Sequence, residues 1–187
     1  MSTYILTWNE NRWTWEDLQT ALESIKNGTP YERRWSCGNT HKIELGSRAF
    51  LLRQGKEPRG FIASGWITHA PYQAQHWDKS QRSKSSWHIR FTIDCIVDPK
   101  STHPLDPRHF STGYLSKIYW ALPASGYRLP DEAASELEEL WWDYVRQSNA
   151  DVGEPDPEIS IIEGYERWHF IRHRSRERSL RTAKIAE

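Results

Sequence analysis

Residues 87–95 alternate between apolar and polar side chains more regularly than any other part of the chain. The apolar positions are Trp87, Ile89, Phe91, Ile93 and Cys95, and the polar residues between them are His88, Arg90, Thr92 and Asp94. A period of two residues is typical of a β-strand, because successive side chains point to opposite faces of a sheet. The segment therefore predicts a strand with one buried face and one face in water.

Further strands are predicted before this segment. Two apolar runs, 47–53 and 61–68, are separated by a short stretch that contains Gly55, Pro58 and Gly60. Runs of this length joined by turn residues predict an antiparallel pair. Residues 4–8, Tyr-Ile-Leu-Thr-Trp, read as an earlier strand. Together these segments indicate a fold built mainly around a sheet.

Two helices are predicted at the flanks of the strands. Thr14 and Asp17 resemble a capping box at the start of the first helix, and Gly28 stands where a C-terminal cap belongs. The second helix begins at Pro130, and its apolar face is predicted to consist of Ala133, Leu137, Leu140, Trp141 and Tyr144. Residues 114–122 are consistent with either a strand or a short helix.

Composition narrows the class of protein. The chain has 187 residues with 11 Trp, 8 Tyr and 5 Phe, so a core of few but large side chains is expected. It contains no apolar run of about 18 residues and no signal-peptide pattern, so we expect a cytoplasmic protein that does not enter a membrane. Its two cysteines are too few for a disulfide framework or a zinc site.

The charge is divided unevenly along the chain. Residues 101–164 contain 4 Lys and Arg against 12 Asp and Glu, whereas residues 165–187 contain 7 against 3. We expect a domain over 1–148, followed over 149–187 by a linker and a basic helical tail. His169 and His173 are four residues apart, but no third ligand is evident, so neither a metal nor another cofactor is expected.

Tryptophans flank the predicted hairpin on both sides. Trp35 is followed by the small residues Ser36, Cys37 and Gly38, and the segment ends at Trp77 and Asp78. Rings spaced in this way can line a cage for a flat ligand such as a nucleobase. The stretch 73–86 carries several Lys and Arg residues without periodicity, which predicts an exposed basic loop. Such a loop could contact a phosphate backbone or could simply be solvated.

The order of these motifs resembles that of EVE domains. Tyr-Ile-Leu-Thr-Trp-Asn at 4–9 is followed by Trp-Ser-Cys-Gly-Asn-Thr at 35–40 and Phe-Leu-Leu-Arg-Gln-Gly at 50–55. Pro-Arg-Gly, Ala-Ser-Gly-Trp-Ile-Thr, Pro-Tyr and His-Trp-Asp then follow between residues 58 and 78. The resemblance covers about residues 4–147 and is closest to the EVE portion of modification-dependent EVE-HNH endonucleases.

This resemblance implies an α+β fold of the PUA-like group, a small twisted β-barrel of about five or six strands flanked by helices. It also implies a binding module for double-stranded DNA that contains 5-methylcytosine or 5-hydroxymethylcytosine. The sequence ends without an HNH motif, so we expect a non-catalytic chain, an N-terminal fragment of a longer endonuclease whose nuclease domain is absent here. A reader of modified single-stranded RNA, as in the related YTH domains, and a hydrolase with an unrecognised site are the alternatives.

Candidate site residues follow from the resemblance and from the chemistry of cytosine. Trp35 is the first candidate for stacking on an extruded base, followed by Trp77 and by Trp66 or Trp8. Asp78 is the candidate acceptor for the cytosine amino group, and the candidate donors are Ser36, Ser64 and Asn39. The candidate phosphate contacts are Arg33, Arg34, Lys79, Arg82 and Lys84. The tryptophans assigned to the core instead are Trp13, Trp15, Trp87, Trp141 and Trp142.

Overall fold

The computed structural model describes residues 1–76 and 85–148, and within them a six-stranded sheet forms the centre of the fold. The strands are β1 (Thr3–Asn9), β2 (Tyr31–Ser36), β3 (Arg48–Gln54), β4 (Gly60–Gln75), β5 (Ser85–Ile96) and β6 (Tyr127–Leu129). The helices are α1 (Leu18–Lys26) and α2 (Asp131–Ser148), with short 3-10 turns at Pro107–His109 and Leu115–Lys117. The predicted α+β class is confirmed.

The sheet is mixed, with the order β2-β5-β4-β3-β1-β6. β1 and β3 are parallel, and every other neighbouring pair is antiparallel. The predicted hairpin is confirmed as β3 paired with β4. Within the described ranges β2 and β6 lie at opposite edges and do not pair with each other, so the sheet is open. The expectation of a closed barrel is therefore wrong, although the six strands agree with the expected number.

The first helix ends as predicted but begins differently. Gly28 has a φ of 79°, and the backbone N–H groups of Gly28 and Thr29 donate to the carbonyls of Ile25 and Ser24, as in a Schellman motif. The predicted capping box at Thr14 is wrong, because α1 starts only after Asp17. The Asp17 carboxylate caps no backbone N–H group; it accepts a hydrogen bond from Tyr31 and pairs with Arg33.

The predicted water-facing side of β5 is largely buried. His88, Thr92 and Asp94 are each less than a tenth exposed, and only Arg90 on that side lies in solvent. Asp94 is buried because α2 packs over this part of the sheet, where Trp141 contacts Phe50 and donates a hydrogen bond to Ser64. The prediction of a wet face is therefore wrong at these three positions.

Burial of Asp94 requires partners, and the structure supplies three. Its carboxylate accepts hydrogen bonds from Arg48 Nη1 at 2.7 Å, Ser64 Oγ at 2.7 Å and Trp66 Nε1 at 2.9 Å. Arg48 also forms an ion pair with Glu138 on α2 at 3.1 Å. Burial alone would lower the pKa of Arg48, but the two carboxylates together raise it. This buried polar network fixes α2 against β3, β4 and β5.

The opposite face of the sheet is covered by α1. Ala21 and Ile25 of α1 belong to one apolar cluster with Ile89, Phe91 and Ile93 of β5. The buried face of α2 consists of Ala133, Leu137, Trp141, Trp142 and Val145. Two predicted members of that face differ, since Leu140 is exposed and Tyr144 is only partly buried.

The predicted tail lies outside the described residues. The chain divides into two compact units, Met1–Glu154 and Pro155–Glu187. Since the description ends at Ser148, the predicted boundary between 148 and 149 stays a prediction. No helix in the described ranges is long and apolar enough to cross a membrane.

Candidate functional site

A cavity of about 740 Å³ lies beside the edge strand β2. Its walls come from the end of β1, the segment that precedes α1, β2 itself and the loop that precedes β6. The residues that line it include Trp8, Arg12, Trp13, Arg33, Arg34, Trp35, Ser36, His88 and Ser125. The volume lies within the range of pockets that hold small ligands.

Tryptophan rings form the apolar wall of this cavity. Trp35 is 4% exposed, and its ring meets the rings of Trp13 and Trp15 edge to face, at centroid distances of 5.4 and 5.1 Å. Its indole Nε1 donates to the carbonyl of Thr7 at 3.2 Å. Trp8 is held similarly, since its Nε1 donates to the carbonyl of Trp13 at 2.9 Å. Trp8 and Trp35 are therefore fixed parts of the wall.

Trp13 is the tryptophan of this wall that is only half-buried. The Arg33 guanidinium lies 5.1 Å from its ring centroid and also pairs with Asp17. Burial, with the like charge of Arg34, lowers the pKa of Arg33 to about 10. The sequence assigned Trp13 to the core, but its partial exposure makes it the ring most accessible to a ligand in the cavity. Its place in a loop before a helix was the available signal.

Cationic side chains stand at the rim of the cavity. Arg34 and Arg12 both line it, both are exposed, and neither forms an ion pair with a carboxylate of residues 1–76 or 85–148. The nearby Glu32 instead pairs with Arg90 at 2.8 Å. Asp17 and Glu32 also line the cavity but pair with Arg33 and Arg90, so among the described residues Arg12 and Arg34 leave a local positive charge beside the aromatic wall, although the whole chain has a net charge of zero.

Polar groups occupy the side of the cavity near β5. Ser36 lies opposite His88 in the pairing of β2 with β5, and both residues line the cavity. Ser125 Oγ accepts a hydrogen bond from the backbone N–H of Thr7 at 3.1 Å, which joins the loop before β6 to β1. The sequence did not single out His88 or Ser125. His88 was placed on the water-facing side of its strand, and Ser125 entered only as part of the family resemblance, without a role at the site.

The structure brings only some of the predicted site residues together. Those that line the cavity are Trp8, Trp35, Ser36, Arg33 and Arg34. Trp66 and Ser64 do not line it; they are fully buried beneath α2, where both donate to Asp94. Asn39 is exposed in a turn and does not line the cavity either. Trp77, Asp78, Lys79, Arg82 and Lys84 lie outside the described residues, as do His169 and His173.

Several other features bear on the chemistry of the chain. Cys37 and Cys95 are both buried, and burial raises the pKa of Cys37 to about 11, which makes its thiol a poor nucleophile. Across the two described ranges there is no cluster of three or more His, Cys, Asp or Glu side chains arranged to hold a metal ion.

Comparisons with known proteins concern the fold alone. No family model matches the sequence, and no curated protein matches it. Among solved structures, a hypothetical protein from Leishmania major is similar with a TM-score of 0.50 and 11% identity, over 79% of this chain and 97% of that one. A protein from Agrobacterium tumefaciens has a TM-score of 0.44 and 11% identity, over 83% of this chain and all of that one. The chain therefore shares its fold with the Leishmania major protein at low sequence identity.

Proposed function

We propose that residues 1–148 form a reader module of the EVE type, within the PUA-like group, that binds DNA containing 5-methylcytosine or 5-hydroxymethylcytosine. The modified base is extruded from the duplex into the cavity beside β2. The observation that carries the proposal is the combination around one cavity of a half-buried Trp13, two rim arginines that form no ion pair within residues 1–76 and 85–148, and the polar side chains of Ser36, His88 and Ser125.

The energetics favour this use of the cavity. Extruding a base costs a few kcal/mol of stacking and pairing, and stacking on one aromatic side chain restores about 1–3 kcal/mol. Trp13 offers such a ring, and its edge-to-face contact with the buried Trp35 holds it in place. Phosphate contacts by Arg12 and Arg34 at the rim add affinity that does not depend on sequence.

The chain acts in this proposal as a binding module and not as an enzyme. Cutting of DNA belongs to an HNH nuclease domain attached beyond residue 148, toward which the basic tail 149–187 leads. The resemblance of residues 4–147 to the EVE portion of EVE-HNH endonucleases supports this arrangement. A modified base near the cut site then determines where that nuclease acts.

Binding to three matched duplexes tests the proposal. They differ at one cytosine, which is unmodified, 5-methylated or 5-hydroxymethylated. We expect one or both modified duplexes to bind more tightly than the unmodified one. We expect Trp13→Ala to weaken binding of the modified duplex about ten-fold or more, because the stacking face is lost. Trp35→Ala is the less informative variant, since Trp35 is a core residue.

Trp87→Ala is the matched control for Trp13→Ala. Trp87 is also partly buried, but it stacks on His41 and does not line the cavity. Its variant is expected to keep the preference for modified cytosine. Equal and salt-sensitive binding to all three duplexes, with no effect of Trp13→Ala, would overturn the proposal. Preferential binding to modified single-stranded RNA would favour a YTH-like reader instead.

A further inference from the structure

We infer that His88 is the residue that selects cytosine over thymine, through a ring nitrogen that can only accept a hydrogen bond from the exocyclic amino group. This inference rests on the proposed function, because it assigns the polar edge of the same base cavity. It differs from the expectation based on sequence, which gave this task to Asp78.

The hydrogen bond of His88 to its own strand fixes the tautomer of the ring. His88 Nδ1 lies 3.0 Å from the carbonyl oxygen of Ser86. A carbonyl oxygen can only accept, so Nδ1 carries the proton and donates it. In a neutral imidazole the other nitrogen, Nε2, then has a lone pair and no proton. The backbone of β5 thus sets the hydrogen-bonding character of the side chain.

His88 Nε2 remains available to a ligand. The residue is 2% exposed and lines the cavity, and Nε2 has no hydrogen-bond partner within residues 1–76 and 85–148. Because the two ring nitrogens lie on opposite sides of the ring and Nδ1 is directed to Ser86, Nε2 is the nitrogen left for the cavity. Nε2 therefore keeps an unused lone pair, and a ligand that donates to it would gain a hydrogen bond.

The neighbours of His88 keep the ring neutral. The groups that face it are Arg34 and Ser36 on β2, Tyr72 on β4, and His76. Burial lowers the pKa of His88; the hydrogen bond to Ser86 opposes this effect, and the charges of Arg34 and His76 add to it. The lone pair on Nε2 is therefore present at neutral pH.

The lone pair on Nε2 can distinguish cytosine from thymine because the two bases carry different groups at position 4. Cytosine and 5-methylcytosine carry an amino donor at position 4, whereas thymine carries a carbonyl acceptor there. The amino group donates to His88 Nε2, but the thymine oxygen would place two lone pairs against each other in a buried site. Thymine and 5-methylcytosine both carry a 5-methyl group, so aromatic stacking and methyl contacts alone separate them poorly.

Three bases that share the 5-methyl group test the inference. 5-Methylcytosine, thymine and 5-methylpyrimidin-2-one, which has only hydrogen at position 4, are each placed opposite an abasic site. No base pair then has to be broken in any of the duplexes. We expect the unaltered protein to bind 5-methylcytosine about ten-fold more tightly than either other base, because only its amino group satisfies Nε2. This arm requires no variant.

His88→Gln is the variant that tests the residue directly. A glutamine amide can rotate to present either oxygen or nitrogen, so we expect the affinities for 5-methylcytosine and thymine to converge to within about three-fold, while 5-methylpyrimidin-2-one, which offers no partner at position 4, stays the weakest. His69→Gln is the matched control, since His69 is an exposed histidine on β4 that does not line the cavity. It is expected to keep the preference. Thermal unfolding of each variant establishes that it is folded.

The possible outcomes separate the two proposals. A folded His88→Gln protein that still prefers 5-methylcytosine to thymine overturns the role of His88 but leaves the reader function intact. Equal binding of the three bases by the unaltered protein also overturns that role, and a retained preference for modified over unmodified cytosine would still support a reader. The reference is a duplex in which the tested base is itself replaced by an abasic site. If none of the three bases binds more tightly than this reference, the proposed function fails and this inference fails with it.

Discussion

Replacing Asp94 by alanine is expected to remove a large part of the stability of the domain. Asp94 is 1% exposed and accepts hydrogen bonds from Arg48, Ser64 and Trp66. Asp94→Ala leaves a buried guanidinium with one carboxylate instead of two. It also removes the acceptor used by Ser64 and by Trp66. The remaining carboxylate, on Glu138, is 21% exposed and therefore compensates the charge less well.

The magnitude follows from the cost of an uncompensated buried charge. Removing one partner of a buried ion pair costs about 3–5 kcal/mol, and each orphaned buried donor adds to that cost unless water enters. We therefore expect a loss of about 4 kcal/mol in the free energy of unfolding. For a domain of this size that corresponds to a fall in Tm of roughly 8–16 °C.

Urea unfolding followed by circular dichroism measures the change. Asp143→Ala is the control, since Asp143 is a half-exposed aspartate on α2 that pairs with Arg146, and its loss is expected to cost less than about 1 kcal/mol. The double variant Arg48→Met, Asp94→Leu removes the orphaned charge and is expected to be more stable than Asp94→Ala alone. A loss below about 1 kcal/mol for Asp94→Ala would refute the view that the network is fully desolvated.

Two further predictions concern the sheet and its histidine. Gly65→Ala is expected to lower the free energy of unfolding by about 3 kcal/mol or more, because a Cβ there would lie 2.1 Å from the carbonyl oxygen of Thr92. Gly28 has a φ of 79°, but a Cβ there would have no atom within 4 Å. Gly28→Ala is therefore expected to cost only about 1 kcal/mol. Chemical denaturation of both variants compares them, and equal losses would contradict the packing argument. The pKa of His88 is lowered from its ordinary value of 6.5, so the unfolded state binds more protons than the folded one just below that value. The free energy of unfolding should therefore fall as the pH drops below 6.5, and it should fall by less in His88→Gln. Unfolding curves between about pH 5 and pH 7.5 measure this fall in both proteins. Identical pH profiles for the two proteins would contradict the prediction.

The elements of the fold were predictable where local patterns decide them. Three predictions rest on patterns of only a few residues: the strand β5 from its alternation, the hairpin of β3 and β4 from its turn residues, and the end of α1 from Gly28. The structure confirms all three elements. The order of the strands and the openness of the sheet were not predictable in this way, because pairing between β1 and β3 joins residues more than forty positions apart in the sequence.

The burial of polar side chains was the main point at which pattern reasoning failed. Asp94 reads as a solvent residue in an alternating strand, but α2 covers it with Trp141 and supplies Glu138 to the same network. Such a network depends on contacts between distant segments, and each member alone has an ordinary sequence context. Trp66 was predicted for the base site because its hydrogen bond to Asp94 is likewise a contact between distant segments.

The candidate site was partly predictable. Trp35 and Ser36, singled out by the order of motifs around them, line the cavity with Arg33 and Arg34 of the same strand, and their role in binding a base stays a prediction. Trp13 was assigned to the core because tryptophans are highly buried on average, although its position in the loop before α1 pointed to partial exposure.

The position of the cavity along an edge strand also affects how the protein avoids aggregation. Within the described sheet β2 pairs on one side only, so its other side is a place where a strand from another molecule could add. Exposed charged residues, Glu32 and Arg34, alternate along this strand and oppose such pairing. Arg34 is thus both a candidate phosphate contact and a charged residue that opposes pairing of this edge with another strand. Engineering the cavity rim with apolar residues to tighten ligand binding would consequently endanger solubility first.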